Sequence, residues 1–174
     1  MTLPAFHCPT PSDMRRSMGR FTTGVAIVSA DDGTGNPCAM TISSLTSVSL
    51  EPPILLVSLT HGSRTTDAVE AGGRFAVSIL GSRQEAIARR FATRGGARFE
   101  GLPVDLSRSG LPLIPDALAQ LECRVHSAHD VGDHRVFYGE VVDMRWRDGT
   151  GLAFYSGRFG DFHDFGHDEL PWLY

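Results

Sequence analysis

Lysine is absent from this sequence of 174 residues, whose 16 positively charged side chains are all arginines. A chain without lysine cannot hold pyridoxal phosphate or a carbonyl substrate as a Schiff base, because that bond needs a lysine amine. It also cannot contain a Walker A phosphate loop or the Ser/Lys motif of the β-lactamases. These enzyme classes are therefore excluded.

Cysteine and long apolar runs are scarce as well. Cys8, Cys38 and Cys123 are odd in number and widely spaced, which is typical of neither a disulfide framework nor a zinc site. No stretch approaches the roughly 18 apolar residues of a membrane span, and the N-terminus lacks the pattern of a signal peptide. The net charge of −4 argues against sequence-independent binding to nucleic acid. We expect a cytoplasmic protein that binds neither membrane nor nucleic acid.

Short apolar runs separated by turn residues make up most of the chain. Strands are predicted over residues 24–30, 38–44, 54–59, 74–80, 118–126, 135–146 and 152–155. Helices are predicted over 13–20 after a Ser12 cap, over 64–71 after a Ser63 cap, and from a Ser82–Glu85 capping box to near Phe91. Consecutive strands with few helices favour a mainly β, antiparallel barrel over a parallel βαβ fold. We expect an arm over 1–11, one domain over 12–160 and a tail over 161–174.

Motifs for several common chemistries are missing. There is no G-x-S-x-G nucleophile elbow, and Gly33 and Gly35 lack the third glycine of a dinucleotide loop and precede Pro37. The tail contains His163 and His167 at metal-ligand spacing, but its glycine and proline leave no helical face. A solvated or dimer-capping tail is therefore expected, and no metal site is predicted.

Two segments carry a candidate binding chemistry. Residues 39–49 are rich in small hydroxyl side chains, which suits either a polar ring lying against the backbone or an ordinary edge strand. Residues 61–66 place Ser63, Arg64 and Thr65 at a predicted helix start. Free backbone N–H groups, hydroxyls and a guanidinium there suit a phosphate, although an ordinary helix cap with a surface arginine has the same sequence.

In order and spacing, several segments together resemble the flavin reductase family, the NAD(P)H:flavin oxidoreductases with an FMN-binding split barrel. The resemblance covers roughly residues 11–160 and is carried by segments 20–25, 39–44, 47–53, 63–65, 75–80, 84 with 88–91, 121–123, 132–134, 139–141 and 155–159.

The resemblance implies a homodimer that reduces FMN or FAD with NADH or NADPH and supplies the reduced flavin to a partner monooxygenase. It implies that His134 orients the nicotinamide without acting as an essential base. The implied flavin- and nucleotide-binding residues are Cys38, Ala39, Met40, Thr41, Ser43, Ser44, Ser47, Ser49 and Pro53 around the ring and its side chain, Ser63, Arg64, Thr65, Arg90 and Phe91 at the phosphate end, and Gly157, Arg158 and Phe159 on the nicotinamide side.

Two positions depart from the family pattern. Cys38 follows Pro37 where members often have glycine, so its thiol is expected to tune or crowd the flavin; Phe159 stands where many members have tyrosine. Two alternatives remain open: a flavin- or haem-binding module without enzymatic activity, and an oxidase on a similar barrel of the pyridoxamine-phosphate type. Hydride transfer between nicotinamide and flavin needs no protein nucleophile, which agrees with the missing catalytic motifs.

Overall fold

A computed structural model describes residues 5–93 and 99–166 of the chain. The three helices are α1 (Pro11–Met18), α2 (Arg64–Gly72) and α3 (Glu85–Ala92), the last preceded by a 3₁₀ turn over Ser82–Gln84. The strands are β1 (Thr23–Gly24), β2 (Ala26–Asp31), β3 (Pro37–Ile42), β4 (Thr46–Leu50), β5 (Pro53–Thr60), β6 (Arg74–Ile79), β7 (Asp105–Leu106), β8 (Pro112–Leu113), β9 (Ala119–Val131), β10 (His134–Trp146), β11 (Leu152–Tyr155) and β12 (Arg158–Asp161).

Seven strands form one antiparallel sheet in the order β3-β2-β6-β9-β10-β5-β4. Within the described residues β3 and β4 remain the two edges, so the sheet is not closed into a full barrel. The Ser44 side chain lies at the connection between these edges. Its hydroxyl donates to the Ser58 carbonyl at 2.9 Å and accepts from the Ser58 N–H at 3.1 Å. This is the mainly β, split-barrel arrangement that the sequence predicts.

The interior of the curled sheet is packed with apolar side chains. Phe75 and Phe137 are fully buried there, and α2 contributes Ala68 and Val69 to the same cluster. Gly139 on β10 makes room for the Phe75 ring, because an added Cβ would lie 2.5 Å from its Cζ atom. A second cluster lies on the other side of β2, where Ile27 packs with residues of α3 and β11. β2 is therefore buried on both faces, as its continuous apolar run predicts.

Smaller pieces complete the fold. β1, β11 and β12 form a three-stranded sheet, and β7 pairs with β8. β12 ends at Asp161, one residue inside the predicted tail. Residues 167–174 of that tail and 1–4 of the predicted arm lie outside the described residues. None of the helices in the described part of the chain has the length and apolar character needed to cross a bilayer.

Several sequence predictions of local structure are confirmed and others are wrong. Ser63 caps α2, and Gly73 ends it in the left-handed conformation. Ser12 does not cap α1: the cap is Thr10, whose side chain and backbone pair with Asp13. The Ser82–Glu85 capping box is also absent, because the Gln84 side chain reaches back to the Gly81 N–H at 3.0 Å.

The structure contains more strands than the seven predicted from the sequence, and the predicted strand over 24–30 is divided into β1 and β2. Residues 46–50 pair with β5 as β4, and residues 158–161 pair with β11 as β12. Residues 93–116, predicted to hold at most one short strand, contain both β7 and β8. The prolines of the 47–53 segment do not prevent pairing, because they fall in the turn and at the first position of β5, where no ladder hydrogen bond is lost.

Candidate functional site

A cleft of about 740 Å³ opens between β3, the start of α2 and the end of α3. It is lined by residues 36–41, 60–65, 91–92 and 99–100. Cys38–Thr41 and Ser63–Thr65, which the sequence assigns to one ligand, therefore face one space, and Phe91 joins them. The volume lies within the range of about 300–1,000 Å³ that small-molecule sites occupy.

The start of α2 forms one wall. The Ser63 hydroxyl accepts from the Thr66 N–H at 3.0 Å and caps the helix. The Thr66 hydroxyl, which is 2.6 Å from that of Ser63, donates to the Thr60 carbonyl at 2.8 Å. The N–H groups of Arg64 and Thr65 come first in the helix and have no intrahelical acceptor. They lie at the positive end of the helix dipole, so this wall suits an anion.

Arg64 extends from this wall toward solvent. Its side chain is 73% exposed, and its Nη2 atom lies 3.4 Å from Oδ2 of Asp32 in the loop between β2 and β3. The side chain and then the backbone N–H of Thr34 lower the pKa of Asp32, so this carboxylate is ionised at neutral pH. A single, long, exposed ion pair holds the guanidinium weakly. The Arg64 guanidinium can therefore leave Asp32 and bind a ligand in the cleft.

Strand β3 forms the facing wall. Cys38 and Ala39 are buried, while Met40 and Thr41 are half-buried. The Thr41 hydroxyl donates to the Ala88 carbonyl at 2.7 Å, which attaches β3 to α3. The Cys38 thiol lies 3.4 Å from the Ala30 carbonyl, and burial raises its pKa, so it stays a neutral thiol. Because β3 is an edge of the sheet, this wall presents backbone groups beside small side chains.

His134 is adjacent to the cleft lining and lies outside it. Its Nδ1 atom is 2.7 Å from Asp133 Oδ1, and this hydrogen bond lowers the pKa of Asp133. Its Nε2 atom is 3.4 Å from the hydroxyl of Thr60, which does line the cleft. The ring is thus oriented from one side by a carboxylate, with one hydroxyl between it and the cleft.

Other sequence-predicted residues lie away from this space. Ser43 is exposed, Ser44 is bonded to Ser58, and Ser47, Ser49 and Pro53 lie on β4 and the start of β5, at the opposite edge of the sheet. The hydroxyl-rich segment therefore divides after Thr41 into a part that lines the cleft and a part that does not.

The remaining predicted residues lie on α3 and at the turn between β11 and β12. Arg90 donates from Nη2 to the Glu100 carbonyl, next to the cleft. Gly157 forms the turn between β11 and β12 with a φ of +81°. Phe159 packs on Phe154 with ring centroids 5.1 Å apart and lies under the Arg89 guanidinium at 5.0 Å. Gly157, Arg158 and Phe159 are outside the lining of the cleft.

The cleft also contains residues that sequence reasoning did not assign. Thr60, His61, Phe99 and Glu100 line it. His61, to which no role was assigned, is the first residue of the predicted phosphate segment 61–66, and Thr60 directly precedes it, so proximity in sequence was the available signal. Phe99 makes an edge contact with Phe91 at 4.9 Å, and it follows a segment without periodicity, so no sequence pattern marks it.

Comparisons with known proteins match the chain to one family. Residues 18–163 match the flavin reductase-like domain family. The FMN reductase (NADH) SmoA of Agrobacterium fabrum is 42% identical over 148 residues, which cover 85% of this chain and 84% of that protein.

Solved structures are similar over nearly the whole chain. A nitrilotriacetate monooxygenase component B from Mycobacterium thermoresistibile superposes with a TM-score of 0.86 at 35% identity, covering 92% of this chain and 91% of that one. An NADH:FAD oxidoreductase of Streptomyces globisporus, in complex with NAD and FAD fragments, superposes with a TM-score of 0.85 at 36% identity, covering 93% and 100%. The chain therefore belongs to the flavin reductase-like family.

Proposed function

We propose that this protein uses NADH to reduce FMN or FAD and passes the reduced flavin to a partner monooxygenase. The observation that carries the proposal is the single cleft in which the anion-binding start of α2 faces the small-residue wall of β3. A flavin nucleotide is complementary to these two walls, because it has a flat polar ring at one end and a phosphate at the other. Relatives named as an NADH-dependent FMN reductase and as a monooxygenase component support the same function.

In this proposal the chain's residues bind and align, and they supply no nucleophile. The N–H groups of Arg64 and Thr65, with the Arg64 guanidinium, hold the phosphate end, while Cys38–Thr41 lie along the ring. A bound flavin supplies the hydride-accepting chemistry, and NADH is the donor. The chain contributes by holding the two ring systems in contact and by replacing water around them.

His134 is proposed to orient the nicotinamide. Asp133 fixes its ring through Nδ1, and Nε2 lies toward the Thr60 hydroxyl at the cleft. A hydrogen bond from this position would select the face of the nicotinamide ring. No proton needs to be removed from a nicotinamide that donates a hydride, so an essential base is not part of the mechanism.

We also propose that the protein is a homodimer with the flavin at the interface between subunits. Met144 and Trp146 alternate along β10, so they share one face, and they are 56% and 70% exposed; they follow a bulge at Val142, which is 48% exposed. An exposed apolar row of this kind is typical of an interface. Light scattering on the purified protein measures the mass, and Trp146→Glu is expected to shift a dimer toward monomer. A monomeric wild-type protein at micromolar concentration would contradict this proposal.

A cytoplasmic location is proposed as well. It is supported by the buried free thiols of Cys38 and Cys123, which suit a reducing compartment. Cell fractionation with an antibody to the chain tests it, and recovery from an oxidising compartment would contradict it.

The main experiment is a turnover assay. Purified protein is mixed with NADH and excess FMN or FAD, and the absorbance of NADH is followed. Multiple turnovers that depend on added flavin support the reductase. A bound flavin without NADH oxidation would indicate the binding module instead, and oxidation of pyridoxamine phosphate would indicate the oxidase.

A further inference from the structure

His61 occupies a place in the cleft that none of the roles above explains. It lies in the turn between β5 and α2, two residues before the Ser63 cap, and it lines the cleft. Its backbone N–H donates to the Asp133 carbonyl at 3.1 Å, which attaches this turn to the turn between β9 and β10. The side chain is 41% exposed, so its ring is accessible from the cleft.

A carboxylate faces one nitrogen of this ring. The Nε2 atom of His61 lies 3.5 Å from Oδ1 of Asp130. The same Asp130 oxygen accepts from Arg135 Nη1 at 2.7 Å, and Arg135 Nη2 lies 3.0 Å from Glu70 Oε1 on α2. The Arg135 side chain is only 22% exposed. Asp130 is therefore held by Arg135, and its Oδ1 atom lies on the side of Nε2 of His61.

The opposite nitrogen, Nδ1, forms no hydrogen bond with any residue in the described ranges 5–93 and 99–166. With Nε2 on the side of Asp130, Nδ1 is the nitrogen left for a ligand, and it donates a hydrogen bond in the imidazolium or in the tautomer that carries its proton on Nδ1. An imidazolium between a carboxylate and a second anion has both N–H groups satisfied by negative acceptors. The nearest anion-binding feature of the cleft is the start of α2, which begins three residues after His61.

We propose that His61 is a further binding residue for the phosphate end of the flavin, with Asp130 as the residue that positions it. This inference rests on the proposed function, because it takes the phosphate of a flavin nucleotide as the ligand. His61 and Arg64 then approach one phosphate from the two sides of Ser63. Arg64 supplies a guanidinium, and His61 supplies a ring N–H group.

The charged groups around His61 come from three elements. They are Asp130 on β9, Arg64 and Glu70 on α2, and Arg135 on β10. Asp130 and Glu70 are both paired with Arg135, and Arg64 is paired only weakly with Asp32. Arg64 and His61 are therefore the two side chains of this turn that can turn toward a phosphate.

The test compares FMN with riboflavin, which lacks the phosphate, in wild type and His61→Gln. Dissociation constants are measured by quenching of flavin fluorescence near pH 6. His61→Gln is expected to weaken FMN binding roughly threefold to tenfold, the range of a single ordinary hydrogen bond, because the ring is partly exposed. Riboflavin binding should not change. An unchanged FMN constant, or an equal loss for riboflavin, would overturn the proposal.

Two further variants separate the possible failures. His129→Ala removes an exposed histidine next to Asp130 on the β9–β10 hairpin that does not line the cleft. It should leave the dissociation constants for FMN and riboflavin unchanged. Arg64→Ala tests the phosphate end itself. If Arg64→Ala weakens FMN binding and His61→Gln does not, this inference fails and the proposed function stands. If neither variant changes FMN binding, the proposed phosphate end is wrong.

A double variant tests the role of Asp130. Asp130→Asn should weaken FMN binding in the wild-type background, should have little further effect in the His61→Gln background, and should leave riboflavin binding unchanged in both. An equal loss of FMN binding in the two backgrounds would overturn the positioning role of Asp130.

Discussion

The interior of the curled sheet and the cleft beside it place opposite demands on their residues. Inside the sheet, the Phe75 ring occupies the space that a side chain at Gly139 would need, and both residues are completely or nearly completely buried. In the cleft, Arg64 is 73% exposed and meets one carboxylate at 3.4 Å. Interior residues are fixed by shape, whereas cleft residues retain hydrogen-bonding capacity for a ligand. Substitutions should therefore affect stability in the first region and binding in the second.

The largest effect is expected from Phe75→Ala. Removing this ring leaves a cavity beneath Gly139, and large-to-small substitutions of buried aromatic residues cost about 3–5 kcal/mol. Urea unfolding measures the loss in the free energy of unfolding. Phe21→Ala removes a phenylalanine that is 68% exposed and should cost far less. Equal losses for the two variants would break the distinction between interior and surface.

The next effect is a loss of flavin affinity in Arg64→Ala without a loss of stability. Removing one charged partner of a phosphate costs roughly 1.5–3 kcal/mol, which corresponds to about a tenfold to hundredfold increase in the Michaelis constant for flavin. Arg83→Ala, an exposed arginine of the 3₁₀ turn, is the control. An unchanged constant in Arg64→Ala would remove Arg64 from the site.

Thiol modification distinguishes the two regions within one protein. Burial raises the pKa of the Cys123 thiol to about 12, so this interior cysteine should not react while the chain is folded. Cys38 is also buried but lines the cleft, so it should react slowly, after the exposed Cys8. FMN at about ten times its dissociation constant should slow the reaction of Cys38 about tenfold. Mass spectrometry identifies each modified cysteine. If FMN does not change the rate of Cys38 modification, the flavin binds elsewhere.

The smallest effect is expected at His134, which lies just outside the lining. His134→Ala should raise the Michaelis constant for NADH by roughly threefold to tenfold, the loss of one partly exposed hydrogen bond, with a smaller change for flavin. Steady-state kinetics with each substrate varied in turn measures both constants. A larger change for flavin than for NADH would reassign His134 to the flavin side.

Local signals in the sequence predicted much of the fold. The Ser63 cap, the Gly73 stop and the continuous apolar run of β2 are all decided by nearby residues, and the structure confirms them. Thr10 and Gln84 were missed because several residues near each helix start had suitable side chains. The choice among them depends on the direction in which the chain enters the helix, which a single sequence does not record.

The residues of the site were harder to predict, because their partners are distant in sequence. Thr41 and Ser44 belong to one hydroxyl-rich run, yet the Thr41 hydroxyl binds the backbone of α3 and the Ser44 hydroxyl binds β5. These acceptors are distant in sequence, so composition alone could not separate structural hydroxyls from those left for a ligand. His61 was passed over for a related reason, since its partner Asp130 is on a distant hairpin.

The two hydrogen bonds between Ser44 and Ser58 attach the segment that follows β3 to β5, and both strands contribute residues to the cleft. This part of the cleft wall is therefore held by the protein's own hydrogen bonds before a nucleotide binds. A preformed binding site can bind and release a flavin without a rearrangement of the backbone. Such a site suits a flavin that has to dissociate once it is reduced.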